Sequence, residues 1–221
     1  MSNIIIIGFA TEGSTDVRFL ESVIRRTFED VAFECNSLPE IHSVQHISTK
    51  KEEFVKEILQ AAEEASNIGV MVLCVHTDAD DSSDESVYNN KIIPAFEVVE
   101  KTEGIICKNL VAVVPVYMTE AWMLADVDLL KEEIGTNKSL NDLGLNRTAQ
   151  SISDPKKVIK DAIQIAFADQ TQRKRKRSIE ISELYLPIGQ RIPLRKLEEL
   201  SSYQKFKDGV REAYRKLNYL H

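Results

Sequence analysis

Long apolar runs are missing from this sequence. The two longest, Asn3–Ala10 and Gly69–Val75, fall far short of the ~20 residues that a membrane-spanning helix needs, and no basic stretch with a cleavage site precedes the first. The expected location is therefore the cytoplasm, with no membrane partner. Cysteine is scarce as well: Cys35, Cys74 and Cys107 lie far apart, in no CxxC pair and beside no clustered histidine, which argues against a disulfide framework and a zinc site. Each is expected as a small buried apolar residue. Neither GxxxxGK[ST] nor GxGxxG occurs, so the chain by itself is not expected to hydrolyse ATP. The six tyrosines and eight phenylalanines are scattered, leaving no legible stacking platform for single strands. Positive charge is in deficit, and the net charge of −7 argues against a simple nucleic-acid coating protein drawn in by a long-range field. It does not exclude an enzyme whose acidic site holds Mg²⁺, because a bound cation reverses the local field.

What is present is an ordinary globular composition, 43% apolar and 29% charged over 221 residues, enough to bury a core without staples. Asn3–Ala10 reads as a buried strand leaving through a glycine turn into a helix from Thr15, with Ser14 or Thr15 as its N-cap. Glu40–Ile47 alternates as a strand nearer an edge, and Lys50–Ala65 is an amphipathic helix. Gly69–Val75 is the next buried strand, Val87–Glu100 a helix with Pro94 in or near its first turns, and Leu110–Val116 another strand. Repeated strand–helix units predict an α/β fold, a mainly parallel sheet with helices on both faces. Residues 1–116 form this core and 117–221 a helical extension packed on it. In the extension, Thr119–Leu130 reads as a helix, Lys131–Ser151 as loop or insertion, and Pro155 to about Ala168 as a helix. Gln170–Ser178 is a charged connector, and Pro193–Leu200 and Tyr203–Leu217 are closing helices.

Ligand sites in such sheets lie outside the carboxyl ends of the strands, and two acidic motifs fall there. Glu12 follows the first strand. Asp78 and Asp80 follow the third, at i and i+2, so on a continuing strand both carboxylates would point to one side. Two nearby carboxylates repel unless a cation lies between them, and hard oxygen ligands suit Mg²⁺ or Mn²⁺. Glu12 would supply a third oxygen or act as acid or base towards a phosphate oxygen. A DxD pair alone is as readily read as a solvated turn.

The combination resembles a named pattern. An apolar strand ending in Glu-Gly, then Ser/Thr-Asp and an apolar-aromatic helix, EGSTDVRFL here, followed later by a strand ending in DxD, is similar to the signature of the Toprim domain of topoisomerases, primases and overcoming-lysogenization-defect nucleases. The resemblance covers the chain to roughly Val116. It implies a parallel-sheet catalytic domain that binds divalent metal to cut, join or make phosphodiester bonds, with Glu12 as the acid of the first motif and Asp78 and Asp80 as the metal-binding pair. Further on, PVYMTEAWMLAD resembles the segment that marks a group of small standalone Toprim-like bacterial proteins, often encoded beside an ABC-type ATPase and associated with phage defence. Glu120 matches the acid of that segment and Trp122 its aromatic. Glu120 also interrupts an apolar helix and would be costly to bury without a partner, so it is read as a further metal or active-site ligand; Trp122 is also explained by core packing.

One departure is clear. The common DxD motif continues into a small or glycine-containing turn, whereas this chain runs Asp80-Asp81-Ser82-Ser83-Asp84. Asp81 and Asp84 either share metal binding or are solvated, the second being preferred. His76 is expected to pack at the strand end, with orientation of a substrate phosphate as the alternative. The basic run Arg173, Lys174, Arg175, Lys176 and Arg177 is either a solvated loop or a grip on a phosphate backbone. The expected function is a Mg²⁺-dependent nuclease acting on DNA or RNA. Two alternatives remain: an effector or toxin held silent until a partner ATPase releases it, and a non-catalytic binding module. Homo-oligomerisation is left open.

Overall fold

The computed structural model describes residues 4–13, 15–169 and 179–221. β1 (Ile4–Ala10), β2 (Glu40–His46), β3 (Val72–His76) and β4 (Leu110–Val113) form one parallel sheet in the order β2-β1-β3-β4. α1 (Asp16–Ala32) joins β1 to β2, and α2 (Phe54–Asn67) joins β2 to β3. α3 (Glu85–Val87), a π-helical turn (Tyr88–Ile92) and α4 (Ile93–Lys101) then lead from β3 to β4. The chain steps outward to β2 and then back across β1 to β3, so right-handed crossovers require α1 on one face and α2 and α4 on the other. The packing agrees. Phe19, Leu20, Val23 and Ile24 of α1 share a core with Ile5, Ile7 and Phe9. Ala61, Ala62 and Ala65 of α2 and Ala95 and Val99 of α4 pack with Leu73 and Val75 on the opposite face. All five residues of β3 are buried, as an unbroken apolar run in a central parallel strand demands.

The C-terminal half consists of α5 (Thr119–Met123), α6 (Val127–Ile134), α7 (Pro155–Phe167), α8 (Ile181–Arg191), α9 (Leu194–Leu197) and α10 (Ser201–Lys216). Its apolar residues join the α1 face in a single core, in which Trp122, Tyr185, Tyr203 and Tyr214 are fully buried. Trp122 meets Tyr203 edge-on at 5.4 Å and donates its indole N–H to Ser202 Oγ at 2.9 Å. Trp122 is thus a core residue whose one polar atom is satisfied. Cys74 and Cys107 are buried and Cys35 is half-buried, all three as free thiols.

Some boundaries differ from the sequence reading, for local reasons. The helix expected over 119–130 is broken, because the Asp126 carboxylate accepts the Leu129 N–H at 3.0 Å and starts α6 afresh. β4 ends at Val113, and beyond it Pro115 has no N–H to offer a ladder. Thr15 precedes α1 but makes no side-chain cap bond, and Ser14 lies outside the described residues. α8, with Pro187 inside it, was not foreseen; Pro187 disguises its helical period. Among the described residues no helix is long and apolar enough to cross a membrane.

Candidate active site

The strand order reverses between β1 and β3, since the chain leaves β1 towards β2 and leaves β3 towards β4. In parallel sheets this switch point opens a crevice at the carboxyl ends of the strands. Ala10 pairs with Val75, so two residues on, in the same register, Glu12 comes opposite Thr77. The Thr77 hydroxyl donates to Glu12 Oε1 at 2.9 Å. Lys91, from the π-turn, places its ammonium 3.4 Å from the same Glu12 oxygen and 3.4 Å from Thr77 Oγ1. Glu12 is therefore held from two sides while its carboxylate stays 40% exposed.

Asp78 is fixed from the next element. The backbone N–H of Thr119 donates to Asp78 Oδ1 at 2.9 Å, and the Thr119 hydroxyl lies 3.3 Å from it. Behind them, buried His76 directs Nε2 at Thr119 Oγ1 (3.0 Å) and Asp78 Oδ1 (3.3 Å). Its Nδ1 has no partner among the described residues, so the ring proton belongs on Nε2, where oxygens can accept it. His76 is thus more than a packing residue; it backs the group that orients Asp78.

The absent turn glycine is explained by backbone geometry. Asp80 has φ +54° and Tyr117 has φ +59°, both left-handed. The Asp80 N–H donates to Tyr117 O at 2.8 Å, and the Tyr117 N–H donates to Asp81 O at 2.9 Å. These reciprocal bonds carry the β3–β4 pairing past the strand ends. Aspartate tolerates the left-handed region better than most residues, so Asp80 serves as both turn residue and acid. Burial pushes its carboxyl above the usual range, as do Asp78 and Glu12, while Lys91 pulls it down.

A second acidic group adjoins Asp78. Glu120, the second residue of α5, has its side chain 3% exposed, accepting the Tyr185 hydroxyl at 2.5 Å and lying 3.3 Å from Lys156 Nζ. Burial raises the Tyr185 phenol strongly, and the neighbouring Glu120 carboxylate adds to the rise. Asp16, the first residue of α1, is buried. Burial raises its carboxyl, His76 lowers it, Asp78 and Glu120 raise it, and the Thr119 hydroxyl lowers it. Gly13 makes room for this side chain, because a Cβ there would stand 2.4 Å from Asp16 Oδ2. Asp16, Lys91, Thr119 and Tyr185 all escaped the sequence reading. The last residue of EGSTD was a signal for Asp16; nothing local marked Lys91 or Tyr185.

The structure therefore brings Glu12 and Asp78 within electrostatic reach of Asp80, and Asp78 and Glu120 within electrostatic reach of Asp16, while the cavity beside Glu12 is lined by neither Asp78 nor Asp80. Asp81 is exposed and engages Ser82. Asp84 corrects the expectation of solvation: it is buried and receives Lys205 Nζ at 2.6 Å. Residues 173–177 lie outside the described residues. As to a cation, the donors are all carboxylate oxygens in mutual repulsion, which fits Mg²⁺ or Mn²⁺ in chemistry. Among the described residues, however, no three His, Cys, Asp or Glu converge as a preformed cage. An ion would have to draw Asp78, Asp80 and Glu12 inward.

Residues 11–211 match the family described as a domain of unknown function, DUF4276, and the chain belongs to that family. No curated protein and no solved structure gives a significant match.

Proposed function

We propose that this DUF4276 protein is a Mg²⁺- or Mn²⁺-dependent phosphodiesterase of the Toprim type, a nuclease acting on DNA or RNA. One observation carries the reading: at the carboxyl ends of β1 and β3, Glu12 is held by Thr77 and Lys91, Asp78 is held by the Thr119 N–H, and Asp80 follows in a left-handed turn, with Asp78 and Glu12 near enough to disfavour its charge. A hard divalent cation held by Asp78 and Asp80, with Glu12 beside it, would relieve that repulsion. When bound, it would polarise a phosphoryl oxygen and acidify a water.

The chain's own residues supply the rest. Thr77 and Lys91 orient Glu12, and Thr119 backed by His76 orients Asp78. Glu12, so oriented and still partly exposed, is the acid–base group. In hydrolysis a water oxygen adds to phosphorus and one P–O ester bond breaks. The water's proton passes by way of Glu12 to the departing oxygen, leaving a phosphate monoester and an alcohol. The basic run at 173–177 would add salt-dependent affinity for a phosphate backbone.

A second reading, an effector gated by a partner such as an ABC-type ATPase in phage defence, draws on a different observation. Lys91 and Lys156 already lie against Glu12 and Glu120, so the protein's own cations occupy acids that a metal would need.

The test is Mn²⁺ calorimetry on the wild type and on Asp78→Ala/Asp80→Ala, with plasmid and tRNA cleavage measured on the same samples. Binding lost in the double variant, with metal-dependent cleavage by the wild type, is the expected result. Binding without cleavage favours the gated effector. No binding at millimolar metal overturns the catalytic assignment.

A further inference from the structure

The π-turn at Tyr88–Ile92 carries Lys91, whose ammonium contacts Glu12. Such turns carry one residue more than an α-turn, which displaces the following face by about 100°. Here the displacement lets Ile92, Ala95 and Val99 stay buried while Lys91 leaves the core and reaches Glu12. Three groups hold the Lys91 ammonium: Glu12 Oε1, Thr77 Oγ1, and the Phe54 ring with its centroid 5.7 Å away. Two of those groups, Glu12 and Phe54, also bound a cavity of about 750 Å³ with Thr11, His46 and Thr49, so the ammonium lies against two residues of its wall.

The turn is braced from the far end of the chain. Tyr88 N–H donates to Asp84 O at 3.0 Å, and the buried Asp84 carboxylate receives Lys205 Nζ from α10 at 2.6 Å. The same Lys205 nitrogen lies 5.3 Å from the Tyr88 ring centroid. A π-turn is rare and gains little from its own hydrogen bonds, so contacts at its ends must hold it. The helical C-terminal half thereby reaches the active-site cation.

We propose that Lys91 is a catalytic residue whose ammonium receives a non-bridging oxygen of the scissile phosphate, and that Lys205 is a positioning residue acting through the π-turn. The inference rests on the phosphodiester reading of the site. As charge develops on the phosphoryl oxygens, Lys91 turns from Glu12 towards them, and Glu12 is freed for proton transfer.

The experiment uses the full chain with Mn²⁺ and the chromogenic diester bis(p-nitrophenyl) phosphate. Lys91→Ala is expected to lower kcat by about 100-fold without weakening Mn²⁺ binding, and Lys91→Arg to restore part of it. Lys205→Ala is expected to lower kcat by less than Lys91→Ala does. In the Lys91→Ala background it should then cost nothing further, a non-additivity that a loss of fold does not produce. Wild-type kcat in Lys91→Ala, or losses that multiply in the double variant, would overturn the proposal. A second readout needs no turnover: calorimetry of thymidine 3′,5′-bisphosphate with Ca²⁺. Binding that weakens in Lys91→Ala, in a wild type that cleaves nothing, supports the phosphate contact while sinking the nuclease reading. Cleavage by the wild type with binding and turnover indifferent to Lys91 does the reverse. A wild type that neither binds nor cleaves overturns both.

Discussion

Tyr185 donates its hydroxyl to Glu120 at 2.5 Å, across 65 residues of sequence, and so ties a helix of the C-terminal half to an acid at the edge of the switch point. Glu120 is 3% exposed at its side chain, and Lys156 supplies its charge partner. A carboxylate so placed depends on every donor it has.

Tyr185→Phe removes one of those donors while keeping the packing. Urea denaturation should show a loss of roughly 1–3 kcal/mol, and Mn²⁺ titration should show a change in affinity if Glu120 belongs to the metal site. Stability equal to the wild type would mean that Lys156 alone satisfies Glu120.

Asp80 has two separable properties, its charge and its left-handed backbone. Asp80→Asn keeps the backbone preference and removes a mutually repelling carboxylate, so thermal stability should hold or rise while Mn²⁺ binding weakens. Asp80→Val loses both, and its β-branched side chain at positive φ should cost about 1–2 kcal/mol of stability. Equal melting temperatures for the two variants would show that the bonds from the Asp80 N–H to Tyr117 O and from the Tyr117 N–H to Asp81 O do not depend on that conformation.

α8 approaches α1 closely at Gly189, where a Cβ would lie 2.8 Å from the Phe19 carbonyl oxygen. Arg26 donates to Gly189 O at 3.1 Å across the same contact. Gly189→Ala must push the helices apart, with an expected cost of roughly 1–3 kcal/mol in chemical denaturation. Because α8 carries Tyr185, the variant should also loosen the Tyr185–Glu120 bond, readable as a shift in Tyr fluorescence.

Arg211 of α10 grips both oxygens of Glu34, at 2.8 Å each, just beyond the end of α1. The bond to Arg211 holds the Glu34 carboxyl below its ordinary value, outweighing the effect of burial. A lowered folded pKa gives stability that is present above the unfolded value and is lost as pH falls through the folded one. The wild type should therefore exceed Arg211→Ala in stability at neutral pH, by less than about 1 kcal/mol because solvent screens so exposed a pair. That part of the difference should fade well below the ordinary glutamate pKa of about 4.3. Melting curves at neutral and acid pH decide it.

Hydropathy alone was enough to announce β1 and β3 and the helices between them, because burial imposes a period on consecutive residues and needs no knowledge of neighbours. It also put Glu12, Asp78 and Asp80 at strand ends, where a parallel sheet exposes its loops. What the residues could not announce was adjacency. β1 lies beside β3 because α1 and α2 cover opposite faces, and only that arrangement sets Glu12 against Thr77. Tyr185 went unread because Pro187 hides the helix that bears it, and Lys91 because a π-turn has the composition of any helix. Asp84 looked solvated in its acidic loop until Lys205, 121 residues on, folded over it. Short-range pattern is written in the chain; the partners of a buried charge are chosen only when distant elements share a core.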